Sequence, residues 1–147
     1  MYIQRVFLEL IYLLSIICII FFYLRMFKEV VFLRRKYKIS IGHNNNEELQ
    51  RAIRAHANFC EYVPFGLLLS MILYFHNFLI FSCISVIFLM VGRIYHHKGI
   101  KNIFEKDENF KYRRLGMRFT FLSYTNSIIG IVVYLIQMLY FFYNTKI

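Results

Sequence analysis

RAIRAHANFCEYVPFGLLLSMILYF, residues 51–75, begins as a charged helix and ends as an apolar one. In its first third Arg51, Arg54, Asn58 and Glu61 recur at alternating spacings of three and four. At about 100° per residue these four project within roughly 80° of one another; Tyr62 joins their face and His56 points away. The remaining two thirds are nearly all apolar, as a membrane span requires. Polar groups carried on a helix toward lipid are costly, and by default they mark a functional site. The stretch therefore points to a helical membrane fold whose second helix carries the site on one face.

The rest of the chain agrees. Its 147 residues are 59% hydrophobic and 20% aromatic, with 18 Lys and Arg against 8 Asp and Glu, a formal charge of +10. A mean hydropathy of +0.51 is too apolar for an ordinary soluble domain of this size. The basic residues crowd into three groups, residues 25–38, 51–54 and 93–118. Nucleic-acid binding would account for the charge but not for the long apolar runs. Basic membrane loops account for both, so no nucleic-acid partner is expected.

Residues 1–147 read as one domain with helices over about 5–33, 47–75, 78–97 and 113–143. The apolar run 6–24 has the length of a retained span and lacks a small-residue cleavage site. Glu9, one turn after Arg5, suits an interfacial pair. Asn45 is placed to cap the second helix, with Glu48 as the third-position carboxylate of a capping box. Pro64 should kink that helix. His76 and Asn77 form a short turn, and residues 98–111 a mixed-charge loop. Thr120, Ser123, Thr125, Asn126 and Ser127 give the fourth helix hydroxyls and an amide for helix contacts or a cavity.

Four spans place both termini on one side. The positive-inside rule makes the first and third loops cytoplasmic and both termini external. Arg35, Arg93, Arg114 and Arg118 then come out at the level of the polar stripe.

Arginine presents a planar fork that matches carboxylates through two bonds at once. The stripe offers one carboxylate, Glu61, against several arginines. An internal salt-bridge lattice is the competing reading, but it leaves most of those cations unpaired. The set suits a small zwitterion with extra negative charge, such as an amino-acid or peptide conjugate. Cys18, Cys60 and Cys83 show no ligand spacing and read as reduced packing residues. Adjacent His96 and His97 point about 100° apart, which suits one metal poorly. They read as solvated interfacial residues, and no metal is expected. No Ser–His–Asp set or paired-carboxylate site is present.

ELQRAIRAHANFCEYVP (residues 48–64), RRKYKIS (34–40), GRIYHHKG (92–99) and RRLGMRFT (113–120) together resemble a bacterial member of the MAPEG family, the membrane-associated proteins in eicosanoid and glutathione metabolism. The resemblance covers nearly the whole chain. It implies an all-α, left-handed four-helix subunit, a homotrimer, and glutathione as co-substrate in clefts between adjacent subunits near the cytoplasmic face of the bacterial inner membrane. It implies that Arg54, Asn58, Glu61 and Tyr62 line the glutathione site, with Arg93 and Arg118 nearby. Arg51 of the stripe and Arg114 are counted with the binding set. Arg35 matches an arginine near the thiol in some members.

The activity implied is glutathione transfer or glutathione-dependent peroxide reduction, a detoxification role. Arg118, with Arg35 as second candidate, would stabilise the thiolate. The thiolate would attack a lipophilic electrophile or hydroperoxide dissolved in the bilayer. Two departures stand out: Leu122 and Ile100 occupy positions where some eukaryotic members carry tyrosine. They argue for a general transferase rather than an eicosanoid synthase. A glutathione-binding or scaffolding membrane protein without catalysis is the alternative. A small transporter is less favoured, since no inverted repeat is visible.

Overall fold

A computed structural model describes residues 2–101 and 110–145. Four helices succeed one another along the chain: α1 Tyr2–Tyr37, α2 Glu47–Phe75, α3 Leu79–Lys101 and α4 Lys111–Asn144. All four are long and apolar enough to cross a membrane. The second helix has the expected bounds. The other three run longer, and α3 continues to Lys101 into a stretch read as loop. Its extra turn keeps the helix's buried face, since Gly99 and Ile100 are buried and Lys101 Nζ pairs with Glu29 of α1. Residues 102–109 of the expected third loop lie outside the described residues.

The helices alternate in direction, and contacts at both ends fix this. At one end Arg5 Nη2 donates to Asn77 Oδ1 at 2.9 Å, beside the expected Arg5–Glu9 pair at 2.9 Å. His76 stacks on Tyr134 of α4 there, with centroids 4.1 Å apart. At the other end Lys36 and Tyr37 meet Glu48. The capping expectation needs correcting: Asn46, not Asn45, is the N-cap, and its Oδ1 accepts from Leu49 N at 2.9 Å. Asn45 instead turns the loop at φ 56°. Glu48 is thereby a second-position residue and its carboxylate serves α1.

Both short connections end their helices alike. Ile39 N donates to Arg34 O (3.0 Å) and Lys38 N to Arg35 O (3.3 Å); Phe78 N donates to Leu73 O (2.9 Å) and Asn77 N to Tyr74 O (3.1 Å). These are paired Schellman bonds, closed by left-handed residues Lys38 (φ 54°) and Asn77 (φ 64°). Arg34 Nη1 then gathers the loop carbonyls of Ser40 (2.9 Å) and Gly42 (3.2 Å).

Helices α2 and α3 are central, and α1 and α4 flank them; among the described residues the backbones of α1 and α4 do not approach each other. The α1 face is a stripe of Tyr12, Ile19 and Met26 at heptad spacing, packed on Phe59, Val63, Val86 and Leu89. The α3–α4 face has another character. It is built from Gly92, Gly116, Thr120, Ser85, Ser123 and Ser127, small residues that let backbones approach closely in lipid. Ser123 Oγ donates to Ser85 O at 2.7 Å, Asn126 Nδ2 donates to Ser85 Oγ at 2.8 Å, and Ser127 Oγ lies 2.7 Å from Ser85 Oγ. The expected role of the α4 hydroxyls holds for Thr120, Ser123 and Ser127, which are buried, and for Asn126; Thr125 is exposed. Of the cysteines only Cys83 is a packing residue. Cys18 and Cys60 are exposed.

A Cβ on Gly116 would lie 2.6 Å from His96 N and 2.7 Å from Gly92 O. These are backbone atoms with no rotamer to change. Gly116→Val should therefore destabilise the protein by at least about 1–3 kcal/mol, the usual cost of overpacking. Thermal unfolding in detergent measures it, and an unchanged transition would refute the tight α3–α4 packing.

Candidate functional site

The close approach of α3 and α4 positions the groups beside it. Arg93, one residue after Gly92, is driven inside the bundle and is 2% exposed. Its Nη1 donates to Asn58 Oδ1 at 2.8 Å. Its Nη2 reaches Thr120 Oγ1 and Met117 Sδ at 3.5 Å. Thr120 is a fitting acceptor because its own proton goes to Gly116 O at 3.0 Å. The guanidinium lies over the Tyr62 ring, 4.8 Å from its centroid, a cation–π contact. Tyr62 is held from behind, its carbonyl accepting from Tyr124 Oη at 2.7 Å. Among the described residues no carboxylate pairs with Arg93, and its buried Nε has no hydrogen-bond partner.

In front of Asn58 opens a cleft of about 520 Å³ lined by Glu47, Gln50, Arg51, Arg54 and Asn58 of α2, His96 and Ile100 of α3, and Arg113 of α4. Each helix places its groups for a local reason. Arg51 Nη1 donates to Ile100 O at 3.0 Å, which ties α2 to α3. His96 Nδ1 donates to Arg113 O at 3.3 Å, bridging α3 to the first turn of α4. Arg54 is exposed and lines the cleft without a hydrogen-bond or ion-pair partner among the described residues. Among the described residues the walls thus bring the guanidiniums of Arg51, Arg54 and Arg113 together with the carboxylate of Glu47.

Arg113 also borders a shallower depression of about 460 Å³, shared with Phe110, Arg114, Met117, Arg118 and Phe121. Arg114 and Arg118 are exposed on the outer side of α4. Arg35 is exposed near the end of α1, on the flank away from α4.

Of the residues picked out in the sequence, the structure brings Arg51, Arg54 and Asn58 into one cleft. It sets Arg93 and Tyr62 one layer behind, acting on Asn58. Arg114 and Arg118 form a neighbouring patch, and Arg35 is separate. Glu61 is exposed and outside the cleft; among the described residues the carboxylate there is Glu47. His96 is not solvated but buried, at 9% exposure. His97 is half-buried, edge-on to Phe22 with centroids 5.1 Å apart.

The sequence pattern matches that of the MAPEG family over residues 12–141. The inner membrane protein YecN of Escherichia coli strain K12 is 32% identical over 98 residues, covering 65% of this chain and 70% of the relative. The protein of the same name from Escherichia coli O6:H1 strain CFT073 matches to the same extent. The chain belongs to the MAPEG family.

The MAPEG match includes every residue of the cleft and of the Arg114–Arg118 patch, so both hollows lie in the part of the chain that carries the family pattern. Five residues of the cleft, Glu47, Gln50, His96, Ile100 and Arg113, were not singled out for it by sequence pattern. Glu47 had a signal: 47, 51, 54 and 58 continue the stripe back by one turn. So had Arg113, since the small-residue face of α4 (116, 120, 123, 127, 130) extends back to 113 and not to 114.

Asn58 is the acceptor that couples the buried cation to the cleft. Asn58→Leu should cost about 1.5–3 kcal/mol, the range for a hydrogen bond to a charged group. Arg93→Met removes the charge that needs the acceptor, so the double variant should be more stable than the sum of the two losses, by about 0.5–3 kcal/mol. Unfolding of the four proteins in one detergent gives this coupling, and strict additivity would contradict it.

Proposed function

We propose that this MAPEG member is a membrane-bound glutathione transferase, with peroxidase activity as a further capacity of the same thiolate. The observation that carries the reading is the cleft itself, where Arg54 presents a guanidinium with no partner among the described residues, beside Asn58 and Glu47. A ligand with two carboxylates and one ammonium complements it. Glutathione has that charge pattern, and its carboxylates fit the arginine forks. Arg51, Arg54 and Arg113 would hold the carboxylates, and Glu47 is placed to receive the ammonium.

The adjoining depression suits the chemistry. A ligand extending past Arg113 would carry its sulfur toward Arg114 and Arg118. A cation there favours thiolate over thiol. Phe110, Met117 and Phe121 around them suit a lipophilic electrophile or hydroperoxide. Holding both reactants in contiguous hollows supplies proximity, a large part of any such rate enhancement.

A homotrimer fits the placement of the arginines. From Tyr134, level with the α2–α3 turn, α4 climbs about 24 Å to Arg118 at 1.5 Å per residue. That is within a hydrocarbon layer about 30 Å thick, where an outward-facing arginine is costly unless covered. Arg35 and Arg118 sit on helices that do not approach each other among the described residues, which favours composing a site that uses both from two copies. The basic loops argue for cytoplasmic first and third loops with both termini external. The name of the relatives supports the inner membrane.

Purified protein in detergent should be stabilised by glutathione, by about 2.7 kcal/mol at a hundredfold excess over Kd, and should conjugate an aryl halide. Arg54→Ala should weaken glutathione binding at least ~10-fold, the loss of a charge-assisted contact. Arg118→Ala should retain binding and lose turnover. Stabilisation without turnover in the wild-type protein would leave a glutathione-binding membrane protein. That reading is favoured by Ile100, which puts an alkyl side chain in the cleft wall where some members have a phenol. No stabilisation would remove glutathione altogether.

A further inference from the structure

The far side of α2 carries a second arrangement that the cleft does not use. Cys60 is exposed, and its Sγ lies 3.8 Å from His56 Nε2, one turn earlier. The imidazole is not loose. Tyr23 and Phe27 of α1 flank it, with ring centroids 5.3 and 6.2 Å away. In the tautomer protonated at Nδ1, Nε2 accepts the thiol proton. A nucleophile and an oriented base within reach of each other are the elements of an activated thiol.

The pair opens on a groove of about 390 Å³ between α1 and α2, walled by Ile19, Ile20, Tyr23, Val63, Pro64 and Leu67, with Cys60 among its lining. Apart from the thiol and the Tyr23 hydroxyl these walls are apolar. Pro64 adds a polar group, because it has no N–H to donate to the Cys60 carbonyl. The groove thus has a largely apolar lining that includes the thiol, with the imidazole beside that thiol.

We propose that Cys60 is a covalent capture site for lipid-soluble α,β-unsaturated carbonyl compounds, with His56 as its base. The groove takes the alkyl chain and sets the enal or enone over the sulfur. As the sulfur bonds to the β-carbon, its proton passes to His56 Nε2. The π pair of the C=C bond moves into an enolate, and the imidazolium returns the proton to the α-carbon. The product is a thioether, with no leaving group, oxidant or further reactant. The imidazole takes the proton as the C–S bond forms, so the site need not maintain a free thiolate in apolar surroundings.

Cys18 is the internal reference, since it too is exposed but lines neither this groove nor an imidazole contact. Full-length protein in detergent, without glutathione, is exposed to trans-2-nonenal, and adducts at each cysteine are followed by peptide mass. Cys60 should react at least ~10-fold faster than Cys18, and His56→Ala should remove most of that advantage, the low end of general-base effects. Leu67→Trp, which fills the groove, should slow nonenal at Cys60 but leave acrolein, which has no chain to seat, nearly unchanged. Equal rates at the two cysteines in the wild-type protein overturn the proposal. So does a Cys60 rate indifferent to both chain length and His56. Neither outcome bears on the arginine cleft, which takes no part in the assay.

Discussion

The contact between Gly92 and Gly116 sets the rest. With no side chain on either residue, α3 and α4 come close enough for a Cβ on Gly92 to strike Gly116 O at 2.8 Å. Lipid offers no hydrophobic drive to hold helices together, so packing and interhelical hydrogen bonds must do it. The serine ladder around Ser85 does so in the lower half of the bundle. In the upper half the same approach places Arg93 against Thr120 and His96 against Arg113. The site is the polar end of a packing motif.

That origin explains the division of labour among the arginines. Arg93 is enclosed by α2, α3 and α4, and its partners are an amide, a hydroxyl, a thioether and a ring face. Neutral acceptors solvate a buried cation without cancelling it. Its field therefore reaches the cleft through Asn58, whose amide oxygen it fixes. The amide nitrogen is left on the other side, so the end of Asn58 free for an anion is its donor end. Arg51 spends one donor on the Ile100 carbonyl. Arg54, on the same face a turn later, has no partner among the described residues.

Most of the fold could be read from the residues, because length and hydropathy alone specify four spans, and the α2 boundaries come from an amide cap and a two-residue turn. The cap itself was misplaced by one position. Asn44, Asn45 and Asn46 are chemically equivalent, and only the backbone shows that the first two take left-handed turn positions while Asn46 is extended. The site was half legible. A 3–4 spacing on α2 identified Arg51, Arg54 and Asn58, since periodicity is a property of one helix. Which residues other helices contribute depends on rotation about their axes. The buried small-residue face of α4 carried that information and selects Arg113 over Arg114. His96 shows the limit of judging residues by polarity: Leu89, Gly92, His96 and Gly99 share one buried face, and a histidine there is enclosed however hydrophilic it is.

Helix α2 also separates two kinds of chemistry. On one face Arg54 and Asn58 line the arginine cleft; on the opposite face Cys60, with His56 beside it, lines a groove of mostly apolar groups. Residues 54, 56, 58 and 60 alternate between them because two residues on a helix turn by about 200°. Thiolate chemistry on the first face needs guanidiniums to stabilise charge in a polar setting. On the second face that option is absent, since an isolated ion in an apolar groove is costly. A neutral thiol beside a neutral base is the form such a groove can hold. The co-substrate proposed for the cleft would be a soluble, charged thiol brought to the membrane, whereas the groove would offer a thiol built into the chain to molecules already dissolved there.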